Sequence, residues 1–209
     1  MRRVLQARPS HGAGGLAKSP LLRKARESAD LVTRFFETHD AEIDQCAKML
    51  ADRLSHGGRL YTMGNGGSSC DADHVAVEFT HPIIEKRRAF PALALGRSVA
   101  LTTAIGNDGD FSLAFVSELA LVGRPSDAAL ALSTSGASAN VNRALRKARE
   151  IGMLTIGFVG RDGGTMRELC DFAFVVPSWS LHRIQETHVV LLHVLWDQVH
   201  VALGEDDVI

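Results

Sequence analysis

Short apolar runs alternate with longer stretches of helical periodicity along most of the chain. The runs at residues 59–63, 92–95, 128–132, 154–159 and 172–176 contain few polar positions, which is typical of strands buried on both faces of a parallel sheet. Between and after them, residues 71–79, 138–151 and 182–203 have helical character. The pattern predicts an α/β fold in which helices cover a five-stranded parallel sheet.

The N-terminal part of the chain has a different pattern. Residues 1–26 contain seven basic residues and no acidic residue, and glycine and proline interrupt them, so they are predicted to form a disordered basic arm. A contact arm for an anionic partner is the alternative. Helical periodicity begins at Glu27 and continues to Leu54, with a break between two helices predicted at Thr38, His39 and Asp40. The chain therefore divides into an arm, 1–26, and a domain, 27–209.

Composition narrows the class of protein. The 209 residues carry a formal net charge of −1, which argues against nucleic acid binding driven by overall charge. No apolar run approaches the roughly 18–20 residues that span a bilayer, and the N-terminus lacks an apolar signal core. Cys46, Cys70 and Cys170 form no CxxC pair, which indicates a reducing compartment and no zinc site built from cysteines. These features predict a cytoplasmic protein without a membrane or nucleic acid partner.

Two loops follow predicted strands and precede predicted helices. The first, GNGGSS at 64–69, has glycines that let its backbone approach an anion, and it matches neither GxGxxG nor GxxxxGK[ST]. The second, STSGAS at 133–138, offers four hydroxyl groups. Each loop leads into a helix N-terminus with free N–H groups. An ordinary glycine-rich turn and a plain N-cap at Ser138 are the structural alternatives. Both loops in one chain favour a phosphorylated small molecule as ligand.

A more specific resemblance rests on five segments in this order: GNGGSSCDADHVAVEFT, AIGNDGDF, ALSTSGASANV, GRDGGTMRELCDF and RIQETHVVLLH. From about residue 27 to about residue 202, the chain resembles the sugar isomerase (SIS) domain family, and within it the phosphoheptose isomerase branch. The resemblance implies a single SIS domain with a doubly wound, flavodoxin-like sheet and an N-terminal helical region. It also implies a homotetramer with active sites at subunit interfaces.

The activity implied by the resemblance is an aldose–ketose isomerisation. Sedoheptulose 7-phosphate would become D-glycero-D-manno-heptose 7-phosphate through an enediol, which needs a base, an acid and a group that polarises the carbonyl. The alternative is a non-catalytic SIS protein that binds a replication initiator or senses sugar phosphates. Retention of Glu78, Gln185 and His193 together favours the enzyme.

The resemblance also implies roles for individual residues. Glu78 would be the catalytic base and His193 the acid–base histidine, against the alternatives of a solvated glutamate and a core histidine. The substrate-binding residues would come from both loops, the NDG turn and the last motif: Asn65, Gly66, Gly67, Ser68, Asn107, Asp108, Ser133, Thr134, Ser135, Ser138 and Gln185.

A zinc ion, Zn²⁺, is implied by the same motifs. His74 and Glu78 lie four residues apart and share a helix face, and imidazole nitrogen and carboxylate oxygen suit zinc. The resemblance adds Gln185 and His193 as ligands. Gln185 and His193 are eight residues apart, which corresponds to about 12 Å along a straight helix. They can share one ion only if their side chains lean together or come from different subunits, and we expect one zinc per subunit in a site at a subunit interface. His188 is a competing ligand or a supporting partner.

Two positions depart from the family's pattern. Pro82 stands where an arginine commonly follows the catalytic glutamate by four residues, and His182 stands where an aspartate often precedes RIQE. Lys86, Arg87 or Arg88 could restore a cation to the pocket, although a basic run more often forms a solvated surface.

Overall fold

The five apolar runs form the central sheet of the domain. The computed structural model describes residues 19–84 and 86–209. Its parallel strands lie in the order β2-β1-β3-β4-β5, which is the order of a flavodoxin-like sheet. Every residue of β1, β3 and β4 is buried, which explains their lack of polar alternation. The strands are Leu60–Gly64 (β1), Ala92–Ala94 (β2), Ala128–Ser133 (β3), Leu154–Gly160 (β4) and Phe172–Val176 (β5).

Helices cover both faces of this sheet, so the predicted doubly wound architecture is confirmed. One apolar cluster packs α1, α2 and α6 against one face, and a second packs α4 and α5 against the other. Within the described ranges, no helix is long and apolar enough to cross a membrane. The helices are Pro20–Ser55 (α1), Gly67–Thr80 (α2), Val99–Asp108 (α3), Ala114–Val122 (α4), Ala139–Ile151 (α5) and Leu181–Ala202 (α6).

Helix α1 differs from its prediction at two places. It begins at Pro20 rather than at Glu27, because proline at the first helical position loses no hydrogen bond. It also continues without interruption through the predicted break. The Thr38 hydroxyl donates to the Arg34 carbonyl at 2.8 Å, and a His39 ring nitrogen lies 3.0 Å from Glu42, so these polar groups are satisfied inside the helix. The remainder of the predicted disordered arm, residues 1–18, lies outside the described residues.

Helices α3 and α4 were not predicted from the sequence. Helix α3 buries none of its residues, so no apolar stripe facing the core marks it in the sequence. Its first turn is held by Ser98, whose hydroxyl accepts the Leu101 N–H at 3.2 Å. Val99, at the start of α3, is 75% exposed and Leu121, on α4, is 87% exposed.

Candidate active site

Both polar loops leave the same edge of the sheet. Gly64 of β1 lies opposite Leu132 of β3 in a parallel pair, so the first loop (64–69) and the second loop (133–138) begin side by side. Ligands of open α/β sheets bind at this carboxyl edge. The first loop enters α2 at Gly67 and the second enters α5 at Ala139, so two helix N-termini face the region.

The second loop is ordered by its own hydrogen bonds. The Ser133 hydroxyl accepts the Gly136 N–H at 3.1 Å and lies 3.2 Å from the Ser138 hydroxyl. Ser138 occupies the N-cap position of α5 but makes no side-chain cap hydrogen bond, so its hydroxyl serves the loop. The Gly136 carbonyl accepts from the Asn142 amide at 3.1 Å and from the Met166 N–H at 3.0 Å. The loop is thus a preformed cradle.

The GRDGG motif, residues 160–164, packs against the backbone of the second loop. Gly136 has a φ of +64°, and a Cβ there would overlap the Gly163 carbonyl oxygen. A Cβ on Gly164 would lie 2.7 Å from the Ser135 carbonyl oxygen. Glycine is required because backbone packs directly on backbone at these positions. This motif is one of the five segments that carry the family resemblance, and no role was predicted for it.

Three of the predicted functional side chains meet between α2 and α6. His74 Nε2 lies 3.2 Å from Glu78 Oε1, and the His74 and His193 rings are 4.9 Å apart at 77°. One donor atom from each of the three residues lies within 4.8 Å of the others. Glu78 keeps 19% of its side chain exposed, and His193 is half-buried. Two imidazoles and a carboxylate in this geometry can exchange protons or hold a metal ion.

Gln185 lies at a different place. Its amide contacts the Cα region of Gly67 so closely that a Cβ on Gly67 would overlap it. Gly67 and His74 are seven residues apart on α2, which corresponds to about 10 Å. Three of the four predicted ligands, His74, Glu78 and His193, therefore lie together within one chain. The fourth, Gln185, lies near the first loop.

A cavity of about 290 Å³ at this point brings in a residue that sequence reasoning missed. Gln185, His182 and Asp71 line it together. Burial raises the pKa of the Asp71 carboxyl, and His74 partly opposes the shift. Asp71 Oδ2 is buried and makes no hydrogen bond to the described residues. The sequence indicates this position only by the spacing of Asp71 in the CDAD segment, one helical turn before His74.

Three other predicted residues have surroundings that differ from those expected. Asn107 and Asp108 are exposed at the end of α3 and hydrogen-bond to each other at 2.7 Å. His188, the alternative ligand or supporting partner, is buried beside Phe158 with ring centroids 5.9 Å apart, and it is not among the three clustered donors. Burial lowers the pKa of His188 to about 4, and neither ring nitrogen hydrogen-bonds to the described residues, so the ring is a neutral core group.

Two members of the basic run after Pro82 are engaged away from the His74, Glu78 and His193 cluster. Arg87 is buried in an ion pair with Asp197 of α6, and its guanidinium lies 4.5 Å from the centroid of the Trp196 ring. Arg88 lies over Phe90 at 5.2 Å. Arg87 therefore anchors the C-terminal half of α6 rather than a ligand.

Comparison with known proteins identifies the class. Residues 25–160 match the family model of the SIS domain, and the chain belongs to this family. A phosphoheptose isomerase of Aquifex aeolicus (strain VF5) is 40% identical over 180 residues, which cover 86% of this chain and 94% of that protein. The relationship places the chain in the phosphoheptose isomerase branch.

Solved structures agree with this placement. The phosphoheptose isomerase of Neisseria gonorrhoeae superposes with a TM-score of 0.80 at 33% identity, covering 86% of this chain and 96% of that chain. The phosphoheptose isomerase of Francisella tularensis gives a TM-score of 0.82 at 30% identity, covering 87% and 96%. These relatives favour the isomerase over the regulator alternative.

Proposed function

We infer that this protein is a phosphoheptose isomerase, an aldose–ketose isomerase that converts sedoheptulose 7-phosphate into D-glycero-D-manno-heptose 7-phosphate. The observation that carries this inference is the cluster of His74, Glu78 and His193 on α2 and α6. Helix α2 begins at one of the two anion-type loops, in a chain 40% identical to a protein of that name. A binding protein has no chemical need for a base and an acid in such proximity.

The proposed reaction divides between Glu78 and His193. The Glu78 carboxylate takes a proton from C1 of the ketose while His193 gives a proton to the C2 oxygen, which yields the enediol. Glu78 then returns its proton to C2 and His193 takes the proton of the C1 oxygen, so atoms and charge balance. The His74 ring, 3.2 Å from Glu78, orients the carboxylate for this transfer.

The substrate is proposed to span both loops. The hydroxyls and helix N–H groups of the second loop suit the phosphate without any nearby cation; its ligands are Ser133, Thr134, Ser135 and Ser138. The first loop, with Gly66, Gly67 and Ser68, adjoins the sugar chain. Gln185, beside Gly67, is assigned to the sugar hydroxyls.

An assay with sedoheptulose 7-phosphate tests the function. We expect the metal-loaded protein to form the aldose product with a kcat in the ordinary enzymatic range of about 1–10³ s⁻¹. Chromatography of the sugar phosphates would resolve product from substrate, and other ketose phosphates serve as comparison substrates. Absence of turnover with every ketose phosphate would refute the isomerase.

We propose Zn²⁺ as the cofactor, held by His74, Glu78 and His193. Two nitrogen donors and a carboxylate are ligands that zinc prefers, and their mutual distances within 4.8 Å fit one ion. When bound, the ion would supply polarisation of the substrate carbonyl. Gln185 would complete the set only from another subunit.

Replacing His74 with alanine tests the zinc proposal. We expect zinc affinity to fall at least about tenfold, because one of the three gathered donors is lost. Elemental analysis after dialysis against a weak chelator measures the bound zinc without relying on activity. His56→Ala is the matched control, since His56 is an exposed histidine at the C-terminal cap of α1 and its loss should leave zinc content unchanged. Equal zinc in both variants would exclude this ligand set.

A homotetramer with shared active sites remains a prediction. The exposed apolar side chains of Val99 on α3 and Leu121 on α4 are candidates for contact between copies. Asn107 and Asp108, exposed on α3, would then reach the substrate of a neighbouring subunit. The cytoplasmic location likewise remains a prediction, supported by the three free cysteines.

A further inference from the structure

The first and second loops are joined by a two-way amide pair. Asn65 Nδ2 donates to Asn140 Oδ1 at 2.9 Å, and Asn140 Nδ2 donates to Asn65 Oδ1 at 2.8 Å. Asn140 lies in the first turn of α5, is 3% exposed, and also accepts the Val141 N–H at 2.9 Å. Both functional groups of the Asn65 amide are therefore used in holding Asn140.

This pair occupies the place where the sheet no longer holds the loops together. The parallel pairing of β1 with β3 ends at Gly64 and Leu132, just before the loops begin. Across the described ranges, no other side-chain hydrogen bond connects residues 64–69 with residues 133–142. The second loop keeps its own shape through Ser133, Asn142 and Met166, so the amide pair fixes the position of one loop relative to the other.

We propose that Asn140 is a positioning residue that aligns the reacting carbons with Glu78 by holding Asn65. The proposal rests on the proposed isomerase function. It also changes the role of Asn65, whose side chain was expected to contact substrate. In the structure, this amide is committed to Asn140, and Asn65 acts by setting the path of the first loop into α2.

The two ends of the substrate explain why alignment matters. The second loop holds the phosphate, and Glu78 lies on the helix that the first loop begins. The length of the sugar chain is fixed, so a shift of one loop relative to the other displaces C1 and C2 from the carboxylate. A misplacement of about 1 Å can cost about 10²-fold in rate. Phosphate affinity should change little, because the second loop retains its internal hydrogen bonds.

The test combines Asn140→Ala, Asn65→Ala and the double variant. Each single variant should lower kcat by about 10²-fold, and the double variant should be no slower than the worse single variant, because both remove the same pair. The inhibition constant of inorganic phosphate should stay within about twofold. Ala144→Gly, at a buried alanine of the same helix, is the control for general destabilisation of α5.

Hydrogen–deuterium exchange supplies a readout that needs no turnover. Amides of residues 65–69 should exchange faster in Asn140→Ala than in wild type, and should be unaffected in Ala144→Gly. If wild type is inactive, the proposed isomerase function is wrong. The exchange experiment still tests whether the Asn65–Asn140 pair holds the first loop. Unchanged exchange, multiplicative losses of kcat in the double variant, or an Ala144→Gly variant as slow as Asn140→Ala would each overturn the proposal.

Discussion

Replacing Glu78 with glutamine is expected to lower kcat by about 10³-fold, within the range of about 10²–10⁴-fold for loss of a general base. Glutamine has nearly the same shape and can still contact His74, which lies 3.2 Å from the carboxylate. It cannot accept the proton from C1 of the ketose. The fall should therefore appear in kcat rather than in KM.

The transfer itself can be followed independently of product formation. In deuterated water, wild type should exchange the C1 hydrogen of sedoheptulose 7-phosphate with solvent, and Glu78→Gln should not. Zinc content must be measured in the same sample, because Glu78 is also a proposed ligand. A variant that binds zinc normally and exchanges hydrogen at the wild-type rate would show that another group is the base.

A second carboxylate variant controls for nonspecific effects of the lost charge. Glu150 lies on the exposed side of α5, where it pairs with Lys147 at 2.6 Å. Glu150→Gln removes one negative charge from a surface ion pair, an interaction that contributes little to stability. Its kcat should remain within about twofold of wild type, since small surface changes are usually near neutral.

The second large effect is expected for Gly136→Ala, which should disrupt the phosphate cradle. Alanine at a φ of +64° costs about 1–2 kcal/mol of folding free energy. Its Cβ would also overlap the Gly163 carbonyl oxygen and lie 3.0 Å from Val159 Cγ1, and overpacking of this kind costs about 1–3 kcal/mol more. The second loop and the GRDGG motif must move apart to relieve the overlap.

That movement would remove hydrogen bonds that shape the cradle. The Gly136 carbonyl holds Asn142 and Met166, so its displacement loosens the start of α5. We expect the KM for sedoheptulose 7-phosphate to rise at least about tenfold, as one or two phosphate hydrogen bonds are weakened. Denaturant unfolding and steady-state kinetics measure the two effects separately.

Gly57→Ala is the control that separates the effect of backbone strain from the effect of the Cβ overlap expected in Gly136→Ala. Gly57 follows α1 with a φ of +86°, and no atom lies within 4 Å of its would-be Cβ. This control should lose about 1–2 kcal/mol of stability and keep its KM. If Gly136→Ala were no less stable than Gly57→Ala and bound substrate normally, the supporting role of the GRDGG motif would be wrong.

The strands could be predicted closely from the sequence because a strand buried on both faces is a continuous run of apolar residues. Strand β5 has its predicted bounds, and each of the other strands differs by one residue at one or both ends. The predicted break at Thr38–Asp40 is wrong for a physical reason. Short polar residues that favour helix caps can also hydrogen-bond to the preceding turn inside a helix, as Thr38 does. Helix α3 escaped prediction because its register is not set by a buried face.

The site divides along similar lines. His74 and Glu78 share one helix, so their proximity follows from a four-residue spacing. The approach of His193 depends on how α6 packs against α2, which no local pattern encodes, and the resemblance alone supplied it. The separation of Gln185 from the cluster and the pairing of Asn65 with Asn140 likewise depend on contacts between elements distant in sequence. An asparagine two residues after the second loop was the only local sign of that pair.

Gly67 also affects how this chain can accumulate mutations without unfolding. A side chain at position 67 would meet only the end of the flexible Gln185 side chain, which can rotate away at little cost. Random substitution there would therefore pass a screen for expression or thermal stability, while the Gln185 amide would leave the substrate region. Selection for stability alone is blind to position 67, and only selection for catalysis would preserve the glycine.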